Sequence, residues 1–145
     1  MSTVQLRTAT ELDAESIRAL LEQCGLPTSD LAAARPELVV ACQGAQVVAT
    51  GALQHLGGVA LLRSIAVAPT YRNSRLGRIL VMELERRARA AGVIEIVLLT
   101  QTAARFFQQQ GYCTIDRNDV PQAVQATEEF RSLCSDSAIC MSKPL

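Results

Sequence analysis

The sequence contains no tryptophan and a single histidine, His55. With one imidazole, the chain has little material for a zinc site or for a catalytic triad built around histidine. No apolar run approaches the roughly 20 residues that a membrane-spanning helix requires, and the first residues lack the basic and then apolar stretch of a secretory signal. We therefore expect a cytoplasmic protein with no bound metal and no membrane partner.

Charge of one sign is not in excess, because 14 basic residues balance 14 acidic residues. Such a chain has no overall field to attract nucleic acid or an anionic surface, so any anion site must be local. Aromatic residues are scarce as well, which weighs further against a nucleic-acid-binding module. The five cysteines are odd in number and form no CxxC pair. We expect reduced and mostly buried thiols.

The length of 145 residues suits one domain, since a chain of this size buries about 68–70% of its unfolded surface. We predict a single domain over residues 1–145. Alternating or continuous apolar runs predict strands at residues 4–7, 38–41, 47–49, 59–67, 93–99, 112–115 and 137–141.

Helical spacing of apolar residues marks the intervening segments. A first helix is predicted from the Thr10 cap to Gly25, a short one from Ser29, and the longest one up to Gly92. Two more are predicted at 102–110 and 121–130. The buried faces are expected to carry Leu12, Ile17, Leu20 and Leu21 in the first helix, and Leu76, Ile79, Leu80, Met82, Leu84 and Ala88 in the longest. This order predicts an α/β fold with a mixed central β-sheet flanked by α-helices.

The segment with the clearest chemistry, residues 64–78, runs from a predicted strand through a loop into a helix start. Backbone N–H groups at a helix N-terminus have no intrahelical acceptor and favour phosphate. Gly77 lets a ligand approach the backbone. Further donors and positive charge come from Arg72, Asn73, Ser74, Arg75 and Arg78. The loop therefore predicts a site for a phosphorylated cofactor, and a capped surface helix with solvated arginines is its alternative interpretation.

Two motifs in register resemble the GCN5-related N-acetyltransferase (GNAT) superfamily. Residues 67–77, Val-Ala-Pro-Thr-Tyr-Arg-Asn-Ser-Arg-Leu-Gly, resemble its acetyl-CoA signature, with Arg75 at the position of the first glycine. Residues 100–112 resemble a second motif, with Thr100 at a usual asparagine and Phe107 at the tyrosine that often protonates the departing thiolate. The resemblance implies the GNAT fold and acetyl-CoA as the co-substrate.

The resemblance also implies a set of cofactor contacts. Backbone amides around Ala66 and Val67 would face the oxyanion that develops during acetyl transfer. The implied cofactor-binding residues are Ile65, Ala66, Val67, Arg72, Asn73, Ser74, Arg75, Leu76, Gly77, Arg78, Thr100 and Phe107. No general base or acid is assigned.

Residues 114–117, 123–130 and 132–134 resemble the arsinothricin N-acetyltransferase branch of this superfamily. That branch acetylates the α-amine of glutamate-like antimetabolites, arsinothricin and more weakly phosphinothricin, and the likeness implies the same resistance function and a homodimer. Arsonate, phosphonate and carboxylate groups pair well with arginine forks. The expected substrate-binding residues are Arg63, Ser64, Arg75 and Thr100.

Several of these residues have a second interpretation. Arg63 interrupts an apolar strand, which favours function, with a salt bridge between elements as the alternative. Arg75 could contact either CoA phosphate or substrate. Thr102 is expected to cap the following helix, and Phe106 and Phe107 are expected to pack in the core.

Two other functions stay open on the sequence alone. The chain could acetylate another small amine or a protein N-terminus, in which case the oxyanion-binding arginines would lose their role. It could also be a non-catalytic acyl-CoA sensor, because Phe107 lacks the hydroxyl of the family's acid.

Overall fold

A computed structural model describes residues 4–72, 74–133 and 137–145, and of residues 132 and 133 only the backbone. Seven strands form one sheet in the order β1-β2-β3-β4-β5-β7-β6. The strands are β1 Val4–Thr8, β2 Glu37–Gln43, β3 Gln46–Leu56, β4 Val59–Val67, β5 Glu95–Thr100, β6 Cys113–Ile115 and β7 Ile139–Pro144. Neighbours are antiparallel except β4 and β5, which are parallel.

Five α-helices flank the sheet: α1 Ala14–Gln23, α2 Leu31–Ala34, α3 Leu76–Ala90, α4 Ala104–Gln109 and α5 Gln122–Gln125. Short 3₁₀ turns lie at Glu11–Asp13, Pro69–Tyr71 and Arg117–Asp119, and a π-helical turn covers Glu129–Leu133. The predicted α/β class, a mixed sheet flanked by helices, is confirmed.

The helices cover both faces of the sheet. On one face α3 and α4 pack Leu80, Leu84 and Phe107 into a cluster with Leu62 and Ile96. The opposite face is covered by α1 and α5, whose apolar residues meet the other side chains of the same strands, among them Val40, Leu61, Ala66 and Val97. Because β4 is buried on both faces, its apolar residues form two runs, on either side of Arg63 and Ser64, instead of alternating with polar ones.

Three side chains expected in the core are exposed, namely Leu12 at 93%, Ile79 at 48% and Met82 at 54%. Leu12 lies in the 3₁₀ turn before α1, where the spacing of an α-helix does not apply. In α3 the inward stripe follows a spacing of four residues, and Ile79 and Met82 fall beside it. That stripe consists of Leu76, Leu80, Leu84 and Ala88.

The helix predicted at 121–130 is also wrong in extent, because α5 ends at Gln125. The hydroxyl of Thr127 donates to the Val124 carbonyl oxygen at 2.7 Å and accepts from the Phe130 N–H at 3.2 Å. Such side-chain bonds compete with the α-helical ladder. The chain therefore re-enters a helical turn only at Glu129, which turns that carboxylate toward the sheet.

A buried polar cluster ties α3 to the end of the sheet. The Tyr112 hydroxyl donates to Glu85 Oε2 at 2.9 Å, and Lys143 Nζ lies 3.0 Å from the same oxygen. Burial, with the Glu85 charge beside it, raises the pKa of Tyr112 above its ordinary value. The cluster anchors the longest helix at a point where the helix carries a buried charge.

Candidate active site

The parallel strands β4 and β5 separate halfway along their length. They pair only from Val59 to Leu62 on β4 and from Glu95 to Leu98 on β5. Beyond this point β4 continues against β3, and β5 continues against β7. The ends of the two strands diverge, and their facing backbone groups have no ladder partner in each other. Such groups are available to a ligand.

A cavity of about 510 Å³ occupies this opening. Its wall includes side chains from both faces of the sheet, with Phe106 and Phe107 on the α4 side and Arg63 and Glu129 on the other. The loop after α1 closes one edge. The wall comprises Cys24, Gly25, Leu26, Pro27, Leu62, Arg63, Ser64, Ile65, Ala66, Val67, Arg72, Leu98, Leu99, Thr100, Gln101, Thr102, Ala103, Phe106, Phe107, Glu129 and Ala138. Two molecules can thus meet from opposite faces.

A β-bulge in β4 shapes the inner wall of the cavity. Thr50 pairs with Ala66 and Ala52 pairs with Arg63, so Gly51 faces two residues, Ser64 and Ile65. Ser64 adopts φ +58°, the left-handed region that favours glycine. Its Oγ is buried and has no hydrogen-bond partner in the described part of the chain. The serine lines the cavity, so the bulge presents an uncommitted hydroxyl to a ligand.

The start of α3 has the features of an anion site. Its N-cap, Arg75, has φ +65°, and no side chain caps the helix. The first helical bond runs from the Ile79 N–H to the Arg75 carbonyl oxygen at 3.0 Å, which leaves the N–H groups of residues 76–78 without an intrahelical acceptor. The left-handed backbone at Arg75 is a conformation that glycine adopts without the steric cost of a Cβ.

Arg72 is folded toward the cavity. Its Nε donates to the Val67 carbonyl oxygen at 3.3 Å, and its Nη2 lies 3.6 Å from Cys24 Sγ. The guanidinium therefore stands at the junction of the cavity and the cationic loop. A ligand with a diphosphate on the α3 start and a thioester in the cavity would pass beside it.

The cofactor-binding residues predicted from the sequence fall into two groups. Six line the cavity: Ile65, Ala66, Val67, Arg72, Thr100 and Phe107. Five lie in the loop and first helical turn outside the wall: Ser74, Arg75, Leu76, Gly77 and Arg78. Asn73 lies outside the described residues. The two groups are contiguous through Arg72, as an extended ligand requires.

Within the second group, two residues serve the packing of the loop. Leu76 is buried at 5% exposure in the core. A Cβ on Gly77 would lie 3.3 Å from the Phe106 ring, so the glycine permits close packing of α3 on α4. The Ser74 hydroxyl donates to the Tyr71 carbonyl oxygen and shapes the turn.

Thr100, rather than Thr102, tightens the turn before α4. Its Oγ1 accepts the Ala103 N–H at 3.0 Å, whereas Thr102 is exposed and the N-cap of α4 is Ala103. The prediction of a Thr102 cap is wrong, because the turn begins two residues earlier than the apolar pattern indicates. The Thr100 hydroxyl proton stays available to a ligand in the cavity. Phe107 is buried at 6% exposure, as expected for a core residue.

Arg63 forms the salt bridge that was the alternative interpretation of its sequence. Its side chain is fully buried, and its Nη1 and Nη2 lie 2.6 Å and 2.5 Å from the two carboxylate oxygens of Asp30. Gln54 Oε1 lies 3.1 Å from Nη1, and Glu129 Oε1 lies 3.5 Å from Nε. A buried guanidinium requires such partners. The fork of Arg63 is therefore committed to Asp30, and we correct its expected use as a free substrate fork.

The cluster of Asp30, Arg63 and Glu129, here called the acid cluster, places one cation between two carboxylates. Burial raises the pKa of Glu129 to about 7, with Asp30 adding to the rise and Arg63 opposing it. Asp30 and Glu129 were not found from the sequence, because each stands in an ordinary polar context along the chain. A buried arginine in an apolar strand was the one available signal that such acids exist.

The other reactive side chains do not share one site, although Cys24 lines the cavity. His55 Nε2 lies 2.9 Å from Glu37 Oε1 near the end of β3. Four described cysteines are free thiols, of which Cys42 and Cys140 are buried, Cys24 is half-buried and Cys113 is exposed; Cys134 lies outside the described residues. Within the part of the chain that the structure describes, no group of three His, Cys, Asp or Glu residues is arranged for a metal ion, and no helix is long and apolar enough to span a membrane.

The cavity between the diverging strands thus lies next to a helix start whose free N–H groups can bind phosphate. The model of the acetyltransferase (GNAT) family matches residues 4–112. The chain belongs to this family. Membership supports N-acetyltransferase activity with acetyl-CoA as the co-substrate.

Curated relatives match part of the chain. An amino-acid acetyltransferase of Haemophilus ducreyi is 34% identical over 89 residues, which cover 60% of this chain and 20% of the relative. An uncharacterized N-acetyltransferase of Chlorobaculum tepidum is 36% identical over 66 residues, covering 46% of this chain and 42% of the relative. The match thus spans about a fifth of the length of the Haemophilus protein.

Solved structures share the fold over the whole chain. The N-acetylglutamate synthase from Neisseria gonorrhoeae, complexed with coenzyme A and N-acetyl-glutamate, gives a TM-score of 0.85 at 19% identity and covers 100% of this chain and 36% of its own. A GNAT-family acetyltransferase from Staphylococcus aureus gives 0.82 at 16% identity, with 99% of each chain covered. At these identities the likeness establishes the fold.

Proposed function

We propose that this protein transfers the acetyl group of acetyl-CoA to the α-amino group of a glutamate-like antimetabolite, arsinothricin first and phosphinothricin more weakly, and so confers resistance. The observation that carries the proposal is the cavity open to both faces between β4 and β5. The proposal covers residues 1–145 as one domain in the cytoplasm, and it includes a homodimer.

The cofactor half of the proposal rests on the α3 start. The diphosphate of acetyl-CoA would accept from the N–H groups of residues 76–78, with Arg72, Arg75 and Arg78 supplying positive charge. The pantetheine arm would then run along the unpaired edge of β4 at Ile65 to Val67. This path ends with the thioester in the cavity, between Phe107 and Thr100.

The transfer step requires an amine in contact with the thioester carbonyl carbon. The amine nitrogen forms a bond to that carbon, the carbonyl oxygen becomes an oxyanion, and backbone N–H groups of the β4 edge stabilise it. The carbon–sulfur bond then breaks, and the CoA thiolate takes up a proton. Phe107 has no proton to give, so this proton would come from the amine nitrogen, and the Thr100 hydroxyl in the cavity wall could donate a hydrogen bond to the sulfur.

The amino-acid half of the proposal rests on the opposite wall. The uncommitted Ser64 hydroxyl suits a carboxylate or another oxyanion, since a buried donor gains most from a charged acceptor. Arg75 is exposed at the N-cap of α3, and its planar guanidinium would pair with an arsonate or phosphonate. Arg63 would contribute through Glu129, a residue of the cavity wall that lies 3.5 Å from its Nε. Two of the similar proteins have names that refer to amino acids, an amino-acid acetyltransferase and an N-acetylglutamate synthase.

The test is release of CoA thiol from acetyl-CoA with arsinothricin, phosphinothricin, glutamate and a polyamine. We expect the highest kcat/KM for arsinothricin and a lower value for phosphinothricin. Arg75→Ala should raise the KM for acetyl-CoA or the KM for the amine acceptor. Measuring both values assigns the guanidinium to the CoA phosphate or to the acceptor. Arg89→Ala, which removes an exposed arginine at the far end of α3, is the matched control.

A second candidate, a non-catalytic acyl-CoA sensor, is favoured by the phenylalanine at position 107 in the cavity wall. Calorimetric titration with acetyl-CoA separates the two. Tight binding without thiol release for any amine would contradict the proposed enzyme and support the sensor. Preference for the polyamine would retain the enzyme and contradict the antimetabolite substrate.

A further inference from the structure

The acid cluster gives the cavity a charged wall that the transfer step described above has not used. Glu129 has a side chain that is 6% exposed, and it lines the cavity from the π-helical turn. Among the described residues of the wall, it is the one carboxylate. The remaining polar side chains there are hydroxyl, amide, thiol or guanidinium groups, none of which is a better base near neutral pH.

The net charge of the acid cluster favours the binding of a cationic group. Arg63 on β4 and Asp30 before α2 are the charged groups that face Glu129. One guanidinium between two ionised carboxylates leaves a net charge of −1, and Asp30 already holds both terminal nitrogens of Arg63. Glu129, at 3.5 Å from Nε, is the less tightly paired of the two acids. A substrate ammonium group could therefore donate a charge-assisted hydrogen bond to the Glu129 carboxylate.

We propose that Glu129 is the catalytic base of this protein, accepting a proton from the ammonium group of the substrate before acetyl transfer. This inference rests on the proposed N-acetyltransferase function. The ammonium N–H bond breaks, and its proton moves to a carboxylate oxygen of Glu129. The neutral amine then attacks the thioester carbon, and the second proton lost by the nitrogen leaves with the CoA thiolate. Glu129 afterwards returns its proton to water.

The environment of Glu129 prepares it for this exchange. Burial raises the pKa of Glu129 to about 7, close to neutral pH, and a base works best when its pKa lies near the operating pH. Glu129 also lies beyond residues 4–112, the part that the family model matches. The base is therefore a feature of this chain's C-terminal segment.

The decisive experiment is the pH profile of kcat/KM for wild type and Glu129→Gln. In the wild type, kcat/KM should fall tenfold per pH unit below about pH 7, the value expected for Glu129. Glu129→Gln should be slower at pH 7 by about 10²–10⁴-fold. The inflection near neutrality should vanish, and the rate should rise with pH until the free amine itself predominates. Glu129→Asp should keep the inflection at a reduced kcat. Glu128→Gln, at the exposed neighbouring position, is the matched control.

A second readout needs no substrate. Because the folded state holds a proton on Glu129 more tightly than the unfolded state, whose value is near 4.5, the free energy of unfolding should decrease as pH rises from 4.5 through about 7. Glu129→Gln should remove that slope and still unfold cooperatively. Urea denaturation across this pH range, together with acetyl-CoA binding, checks that the variant is folded.

Each outcome decides the question. A wild-type rate and inflection in Glu129→Gln would overturn the proposal, as would loss of acetyl-CoA binding or of cooperative unfolding, which would indicate a structural role. If the wild type acetylates a different amine with the same inflection, the antimetabolite assignment fails and the base assignment holds. If it acetylates none, both fail.

Discussion

We predict that Ser64 lowers the stability of the fold and strengthens substrate binding. Its hydroxyl is buried without a partner in the described part of the chain, and an unmade hydrogen bond of this kind costs about 1–3 kcal/mol. We expect Ser64→Ala to raise the free energy of unfolding by about that amount. If the hydroxyl donates to a substrate oxyanion, the same variant loses about 1.5–3 kcal/mol of binding, and KM for the amine rises roughly tenfold to a hundredfold.

The backbone at this position is tested separately by Ser64→Gly. The residue has φ +58°, and a left-handed conformation costs an L-residue about 1–2 kcal/mol. Glycine relieves that cost but loses about 0.5–1 kcal/mol through the greater freedom of its unfolded chain. Ser64→Gly should therefore equal or slightly exceed Ser64→Ala in stability, with the same rise in KM.

Thr50→Val supplies the control for both variants. Thr50 is fully buried on the neighbouring strand, and its hydroxyl donates to the Val39 carbonyl oxygen at 3.2 Å. Removing a satisfied hydroxyl should lower the free energy of unfolding by about 1 kcal/mol and leave KM unchanged. Urea denaturation and initial-rate kinetics measure both quantities. A Ser64→Ala protein that is destabilised like Thr50→Val, or one with an unaltered KM, would refute the reasoning.

Three further changes have expected outcomes. Arg75→Gly should stabilise the protein by about 1 kcal/mol relative to Arg75→Ala in thermal unfolding, because the left-handed backbone penalises any Cβ; equal melting temperatures would argue against strain at this cap. Gly51→Ala puts a methyl group 2.7 Å from the terminal carbons of Ile65 and Leu84 and should cost about 1–3 kcal/mol in urea denaturation. An unchanged free energy of unfolding would mean that the residues around the bulge accommodate the methyl group without cost. Glu85→Ala leaves the Tyr112 hydroxyl and Lys143 without their carboxylate and should lower the free energy of unfolding by about 3–5 kcal/mol. Tyr112→Phe should lower it less. A larger loss for Tyr112→Phe in thermal unfolding would contradict the assigned role of this buried cluster.

The fold was predictable where local patterns decide structure. The strand predicted at 59–67 coincides with β4, and the hairpin around Gly44 and the helix end before Gly92 are also confirmed. In each case the signal is contained within a few residues. The predictions fail where tertiary packing chooses among equal local options, as at Ile79 and Met82, since both fit helical spacing as well as their buried neighbours do.

The site was predictable to a smaller extent. The cationic loop could be found because helix starts and glycines leave a local signature, and the cavity contains half of the cofactor residues that the family resemblance implied. The acid cluster could not be predicted, because Arg63 pairs with Asp30, 33 residues away in the sequence. Its second acid, Glu129, lies in a turn where the sequence predicts a helix. The left-handed backbone of Ser64 likewise depends on the pairing of β4 with β3.

The opening between β4 and β5 has a consequence for how such a protein diversifies. The α4 side of the gap, where the cofactor is proposed to bind, is made by one continuous stretch from β4 to α4. The opposite side comes from two distant stretches, the loop at residues 24–27 and the segment containing Glu129 and Ala138. The latter lies beyond residues 4–112, where the family match stops. If the protein has the proposed function, exchanging these two stretches between relatives should change the acceptor preference and leave the acetyl donor unchanged.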